Sequence, residues 1–186
     1  MFTHFNDHHD LEGKHATFSP SQSYWLRYDD KKIALAKKNK KASELGTRLH
    51  AWAKETIDLG IVQPFASTNL GNYVNDAIGF GMSTEVPLYF SDDFFGTADA
   101  ISFHNNFLRI HDLKTGEIPA NMEQLMVYAA LFCLEYSVNP KSIMIELRIY
   151  QQDQPEILNP NADDILVIMN TIKHFDSILH SQPMGV

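Results

Sequence analysis

The chain has 186 residues, a formal net charge of −8, 44% hydrophobic residues and one cysteine, Cys133. That length suits one domain with a real core, and no apolar run approaches the ~20 residues of a membrane helix or forms a basic-then-apolar leader. A lone cysteine excludes an internal disulfide and a four-cysteine metal or iron–sulfur site, and a reducing, cytoplasmic setting is expected.

The acidic total conceals an uneven distribution. Arg27, Lys31, Lys32, Lys37, Lys38, Lys40, Lys41, Arg48 and Lys54 are nine of the fifteen Lys and Arg residues, packed into 28 positions. The remainder of the chain is strongly acidic. Such a run is either a solvated helix face or a surface for a polyanion, and its location decides which matters.

Residues 1–18 are polar and carry His4, His8, His9 and His15 without a period, which predicts a poorly ordered terminus rather than a metal site. Residues 19–186 are expected to form one domain. Ser19 or Ser21 can cap a helix running to about Asn39, with Pro20 in its first turn. Ala42 to Leu59 predicts a second helix that buries Leu45, Leu49, Trp52, Thr56 and Leu59. His50 would lie at the edge of that stripe, near Gly46, Ala53 and Ile57. Gly60 ends the helix, and a short one follows from Asn69 to Ile78.

From Met82 the period becomes two. Thr84 to Phe90 predicts a strand, at an edge or bulged at Pro87. Phe94–Phe103 and Phe107–Lys114 predict a hairpin turning at Asn105-Asn106, since Asn tolerates positive φ. That turn sets Phe103 opposite Leu108, Ile101 opposite Ile110, and Asp99 opposite Asp112 on one face. Lys114, two residues on, shares that face. Pro119–Tyr136 predicts a long helix. Ser142–Gln151 predicts a fourth strand with Ile143, Ile145, Leu147 and Ile149 inward. Asn161–Leu179 predicts a closing helix.

Two carboxylates opposed on a sheet repel unless a cation sits between them. Oxygen ligands favour Mg²⁺ or Mn²⁺, and an imidazole from His50 widens tolerance for Mn²⁺. The Leu113 carbonyl could add another oxygen. Lys114 beside such an ion could orient water or stabilise negative charge on a phosphoryl group. Taken singly, an Asp-x-Lys triplet or a helix histidine is unremarkable. Their coincidence, followed by Gln124 and Tyr128 one turn apart on the next helix, points to phosphodiester hydrolysis.

The motifs resemble the RecB-like branch of the PD-(D/E)XK nuclease superfamily over about residues 19 to 152. Gly46-Thr47-Arg48-Leu49-His50 is similar to its helix histidine motif and Gly96-Thr97-Ala98-Asp99 to its aspartate motif. Asp112-Leu113-Lys114-Thr115-Gly116 is similar to its Asp-x-Lys motif, and Gln124-Leu125-x-x-Tyr128 to its Gln/Tyr helix. The resemblance implies an α/β fold with a small mixed central sheet in αβββαβ order, flanked by helices. It implies that His50, Asp99 and Asp112 bind metal, that Lys114 is catalytic, and that Gln124 and Tyr128 support the site or touch nucleic acid. Ala98 replaces the proline that names the superfamily, and neither the four iron–sulfur cysteines nor a helicase motif is present.

The expected function is therefore Mg²⁺- or Mn²⁺-dependent hydrolysis of DNA, as an exonuclease more than an endonuclease. On the resemblance alone, it would serve recombination, replication or repair of phage or mobile-element DNA, with partner proteins or as a homo-oligomer. Beside such a site Lys37, Lys38, Lys40, Lys41 and Arg48 would contact backbone phosphates. Two rivals are a nuclease-like binding module, acting within a complex or inhibiting host enzymes, and an RNA-cleaving enzyme.

Overall fold

A computed structural model describes residues 26–64, 68–116, 120–151 and 154–181. The polar terminus with its histidines and the Ser19, Pro20 and Ser21 cap lie outside these residues, as does Pro119. Compactness divides the chain between Leu45 and Gly46, and the two units are taken separately.

In the first unit, Leu26–Arg27 form a 3-10 turn and Tyr28–Asp29 are not helical. Helix α1 starts at Asp30, so the helix does not run in from Ser19 or Ser21. Its cap is Asp29, whose carboxylate accepts the Lys32 N–H at 2.8 Å. α1 continues unbroken to Asp58, where two helices were predicted. The stretch Lys37-Lys38-Asn39-Lys40-Lys41 contains no glycine or proline, and lysine is a good helix former, so nothing interrupts it.

The second unit is built on a five-stranded mixed sheet ordered β1-β2-β3-β4-β5. The strands are β1 (Ser83–Ser91), β2 (Phe94–His104), β3 (Phe107–Leu113), β4 (Met144–Tyr150) and β5 (Glu156–Leu158). Neighbours are antiparallel except β3 and β4, whose parallel pairing requires the crossover through helix α3, Glu123–Glu135. Strand β5 was not predicted, because three residues are too few to show a period. Residues Pro140–Ser142, assigned in part to the fourth strand, form a 3-10 turn capped by Asn139.

The β2–β3 hairpin has the predicted register, with Phe103 opposite Leu108 and Ile101 opposite Ile110. Asn105 and Asn106 take φ of 53° and 58°, the left-handed pair that a two-residue turn demands. β1 is an edge strand as predicted, but its register shift falls between Tyr89 and Ser91. Pro87 itself stays in the ladder, opposite Thr97.

Two apolar layers cover the sheet. Leu108, Ile110, Ile145, Leu147 and Ile149 pack with α3 and with α4 (Ala162–Ser181) through Leu125, Ala129, Ile165 and Met169. Leu113, Ala100 and Tyr150 pack with Ala53 and Ile57 of α1 and with Tyr73, Val74 and Ala77 of α2 (Asn69–Gly79).

The buried stripe of α1 differs from the prediction. Leu45, Trp52 and Leu59 are exposed, and only Thr56 of that set is buried. The packed row is Gly46, Ala53 and Ile57, with a half-buried His50 between them. His50 thus lies on the packed face rather than at its edge. Small residues let the helix lie close: a Cβ on Gly46 would stand 2.7 Å from Thr115 Oγ1, just beyond β3. Close approach outweighed the larger side chains that dominate a hydrophobic pattern. No described helix is long and apolar enough to cross a membrane.

Candidate functional site

The hairpin ladder stops at Ala100 opposite His111. Beyond it, the Asp99 carboxylate accepts the Leu113 N–H at 3.0 Å through Oδ2. Leu113 thus enters the site through its N–H. Two residues apart on a regular strand share a face, yet Ala98 packs with the α3–α4 layer and Ala100 with the α1–α2 layer. Alternation slips at Asp99, and the expected Asp99–Asp112 pair lies beyond the last paired residues of the hairpin. The slip has a counterpart in β1. Between the pairs Thr84↔Ala100 and Val86↔Ala98, Glu85 adopts φ 51°.

The slip aims Asp99 toward α1, where His50 Nδ1 lies 3.5 Å from Asp99 Oδ2. Asp112 is the penultimate residue of β3 and is almost fully buried. Lys114 Nζ stands 3.1 Å from its Oδ1 and 3.0 Å from its Oδ2. The same ammonium donates to Gln124 Oε1 at 3.0 Å, and Gln124 Nε2 donates to Tyr128 Oη at 3.3 Å. Tyr128 lies over Gly96, where a Cβ would meet its Cε1 at 2.9 Å. The backbone of Lys114 is fixed by its N–H to the Tyr150 carbonyl, 3.0 Å. The structure therefore brings together His50, Asp99, Asp112, Leu113, Lys114, Gln124 and Tyr128.

Electrostatics mark the same place. Burial pushes the Asp99 carboxyl above its ordinary value, and the charge of Asp112 pushes it further; the Leu113 N–H, His50 and Lys114 restrain the rise. The phenol of Tyr73 is driven up by burial and then by Asp99 and Asp112. Asp112 Oδ2 is buried without a hydrogen bond of acceptable geometry, despite the nearby ammonium. Crowded carboxylates with an unsatisfied buried oxygen are a suitable seat for a cation.

Sequence reasoning missed Glu85. Ligand atoms of His50, Glu85 and Asp99 all lie within 4.8 Å of one another, a spacing that could hold a metal ion. A tight turn at Asp92-Asp93 alone would set Glu85 opposite Ala100; the register shift between Tyr89 and Ser91 moves it level with Asp99, and no sequence pattern marks that shift. Also missed was a network behind the site. Tyr150 Oη donates to Asp76 Oδ2 at 2.6 Å, and Arg148 Nη1 donates to the same oxygen at 2.9 Å. His111 Nδ1 lies 3.4 Å from Tyr150 Oη, and burial, then Arg148 and Arg109, depress its pKa to about 3.

The remaining candidates are surface cations. Lys37, Lys38, Lys40 and Lys41 are exposed on α1 in the first unit, with Lys40 at 3.8 Å from Glu44. Arg48 is exposed on α1 in the second unit. No family model and no curated protein matches the chain.

Proposed function

We propose that the chain is a metal-dependent deoxyribonuclease of the RecB-like PD-(D/E)XK type, acting as an exonuclease in recombination, replication or repair of phage or mobile-element DNA. The observation that carries this reading is the placement of the Lys114 ammonium between Asp112 and Gln124, beside the Asp99–His50 pair. His50, Asp99, Asp112 and the Leu113 carbonyl would hold Mg²⁺ or Mn²⁺, and the unsatisfied Asp112 oxygen fits that role. Such an ion supplies positive charge to phosphoryl oxygens and lowers the pKa of water.

The chain's own groups do the positioning. An ammonium has three N–H donors. Asp112 and Gln124 occupy two of those on Lys114, leaving one for a phosphoryl oxygen on which charge grows. Tyr128, seated on Gly96, orients the Gln124 amide so that its oxygen faces Lys114. Lys37, Lys38, Lys40, Lys41 and Arg48 serve phosphate contacts without sequence preference.

End-labelled single- and double-stranded DNA, incubated with Mg²⁺, Mn²⁺ or EDTA, tests the proposal. Cleavage in at least one metal and none in EDTA is expected, with loss from ends rather than internal cuts. DNA left intact in both metals, or cut equally by Asp112→Asn, would refute it.

A further inference from the structure

We infer that Glu85 is a metal ligand of this site, joining His50 and Asp99 from the edge strand. The inference rests on the metal-dependent reading above and adds a residue outside its motifs. Three observations converge on it. First, Glu85 supplies one of three mutually close ligand atoms, and one of the others is an imidazole, so the group is more than a patch of acid. Second, Asp112 is 3% exposed, and its Oδ2 is buried without a hydrogen bond although the Lys114 ammonium stands 3.0 Å away. A buried acceptor left unsatisfied beside this group is what a cation would resolve.

Third, the backbone places Glu85 at a cost. A non-glycine residue at φ 51° is disfavoured and persists only where its surroundings hold it. Its neighbour Thr84 supplies the hold: Thr84 Oγ1 donates to Asp58 Oδ1 at 2.6 Å and accepts from Lys54 Nζ at 3.3 Å. β1 is thereby fastened to α1, the helix that bears His50. Burial grades the set, from Asp112 at the floor through half-buried Asp99 and His50 to exposed Glu85. Glu85 is thus the ligand on the open side. Three carboxylates and one imidazole suit a divalent ion of borderline hardness, Mn²⁺ ahead of Mg²⁺.

Mn²⁺ binding to the full chain, followed by the loss of the free-ion electron paramagnetic resonance signal, tests this directly. Glu85→Gln removes the charge at constant size, and Glu85→Gly removes the side chain while suiting the left-handed backbone. Both variants should bind Mn²⁺ at least tenfold more weakly than the wild type. Their melting temperatures in EDTA should be unchanged or raised. Wild-type affinity in both variants, with binding abolished in Asp99→Asn, would overturn the role of Glu85 and leave the metal site standing. Absence of Mn²⁺ binding by the wild type would overturn both. A loss of affinity accompanied by a lower melting temperature in both variants would assign Glu85 a folding role instead.

Discussion

Replacing Asp99 with asparagine should stabilise the metal-free protein while destroying its response to metal. Asparagine retains an oxygen to accept the Leu113 N–H. It removes the charge that stands, 80% buried as a side chain, beside Asp112. The sign follows from linkage. Asp99 has a folded-state pKa above its ordinary 3.8, so its contribution to stability is fully present below that value and is lost as pH rises through the raised one. Above that raised value the wild type carries the whole cost of ionising Asp99, and Asp99→Asn carries none.

Like charges on neighbouring strands cost about 0.2–1 kcal/mol. In a protein of this size 1 kcal/mol moves the melting temperature by about 2–4 °C. The variant should therefore melt about 0.4–4 °C above the wild type at pH 7.5 in EDTA, with the gap closing as pH falls through the raised Asp99 value. Added Mn²⁺ should raise only the wild type and reverse the order. Differential scanning calorimetry across pH measures both effects. A variant less stable at pH 7.5, or a gap independent of pH, would show that Asp99 is a structural carboxylate without charge strain.

Lys114→Ala and Asp112→Asn should each reduce single-turnover DNA cleavage by about 100-fold or more, the usual scale for losing an electrostatic group or metal ligand, with unchanged circular dichroism. Activity within about tenfold of the wild type would remove either from the site. Gly96→Ala places a Cβ 2.9 Å from the Tyr128 ring and should cost about 1–3 kcal/mol in urea unfolding. Because Tyr128 aligns Gln124, and Gln124 aligns Lys114, cleavage should fall with it; loss of stability alone would show that this chain does not transmit position. Neutralising Lys37, Lys38, Lys40 and Lys41 together should weaken DNA binding and flatten its salt dependence, each lost phosphate contact lowering the log–log slope by about one. An unchanged slope would make the run a solvated face.

The features legible in the sequence are those governed by short-range rules. A two-residue turn with two left-handed asparagines leaves one possible register, and the expected shared face of Asp112 and Lys114 is met by their contact. Spacing of one helical turn likewise brought Gln124 against Tyr128. What escaped depends on how layers meet. The face of α1 was misassigned because Leu45, Trp52 and Leu59 outweigh Gly46 and Ala53 in any hydrophobic pattern, while close packing prefers the small residues. The slip at Asp99 was invisible because strand alternation is assumed regular, and the slip is what turns Asp99 toward His50. Glu85 was hidden for the same reason, on the strand opposite that slip.

The site concentrates like charge, and the fold opposes that strain from behind. Lys114 can meet Asp112 only while the end of β3 stays fixed, and its N–H is held by the Tyr150 carbonyl where the parallel β3–β4 pair closes. Tyr150 is itself anchored through Asp76 to α2, with Arg148 on the same carboxylate oxygen. Its ring packs edge-on against Tyr73, 5.4 Å between centroids. His111 completes this clamp without adding charge, since burial and two neighbouring arginines keep it neutral at physiological pH. The clamp's cation, Arg148, is engaged by Asp76 and Glu146 instead. The positive charge that Asp99 and Asp112 require must come from Lys114, from His50 when protonated, or from a bound ion, and one ammonium cannot neutralise both carboxylates. A fold that secures these strand ends while crowding His50, Glu85 and Asp99 within 4.8 Å of one another leaves a group that could hold a metal ion.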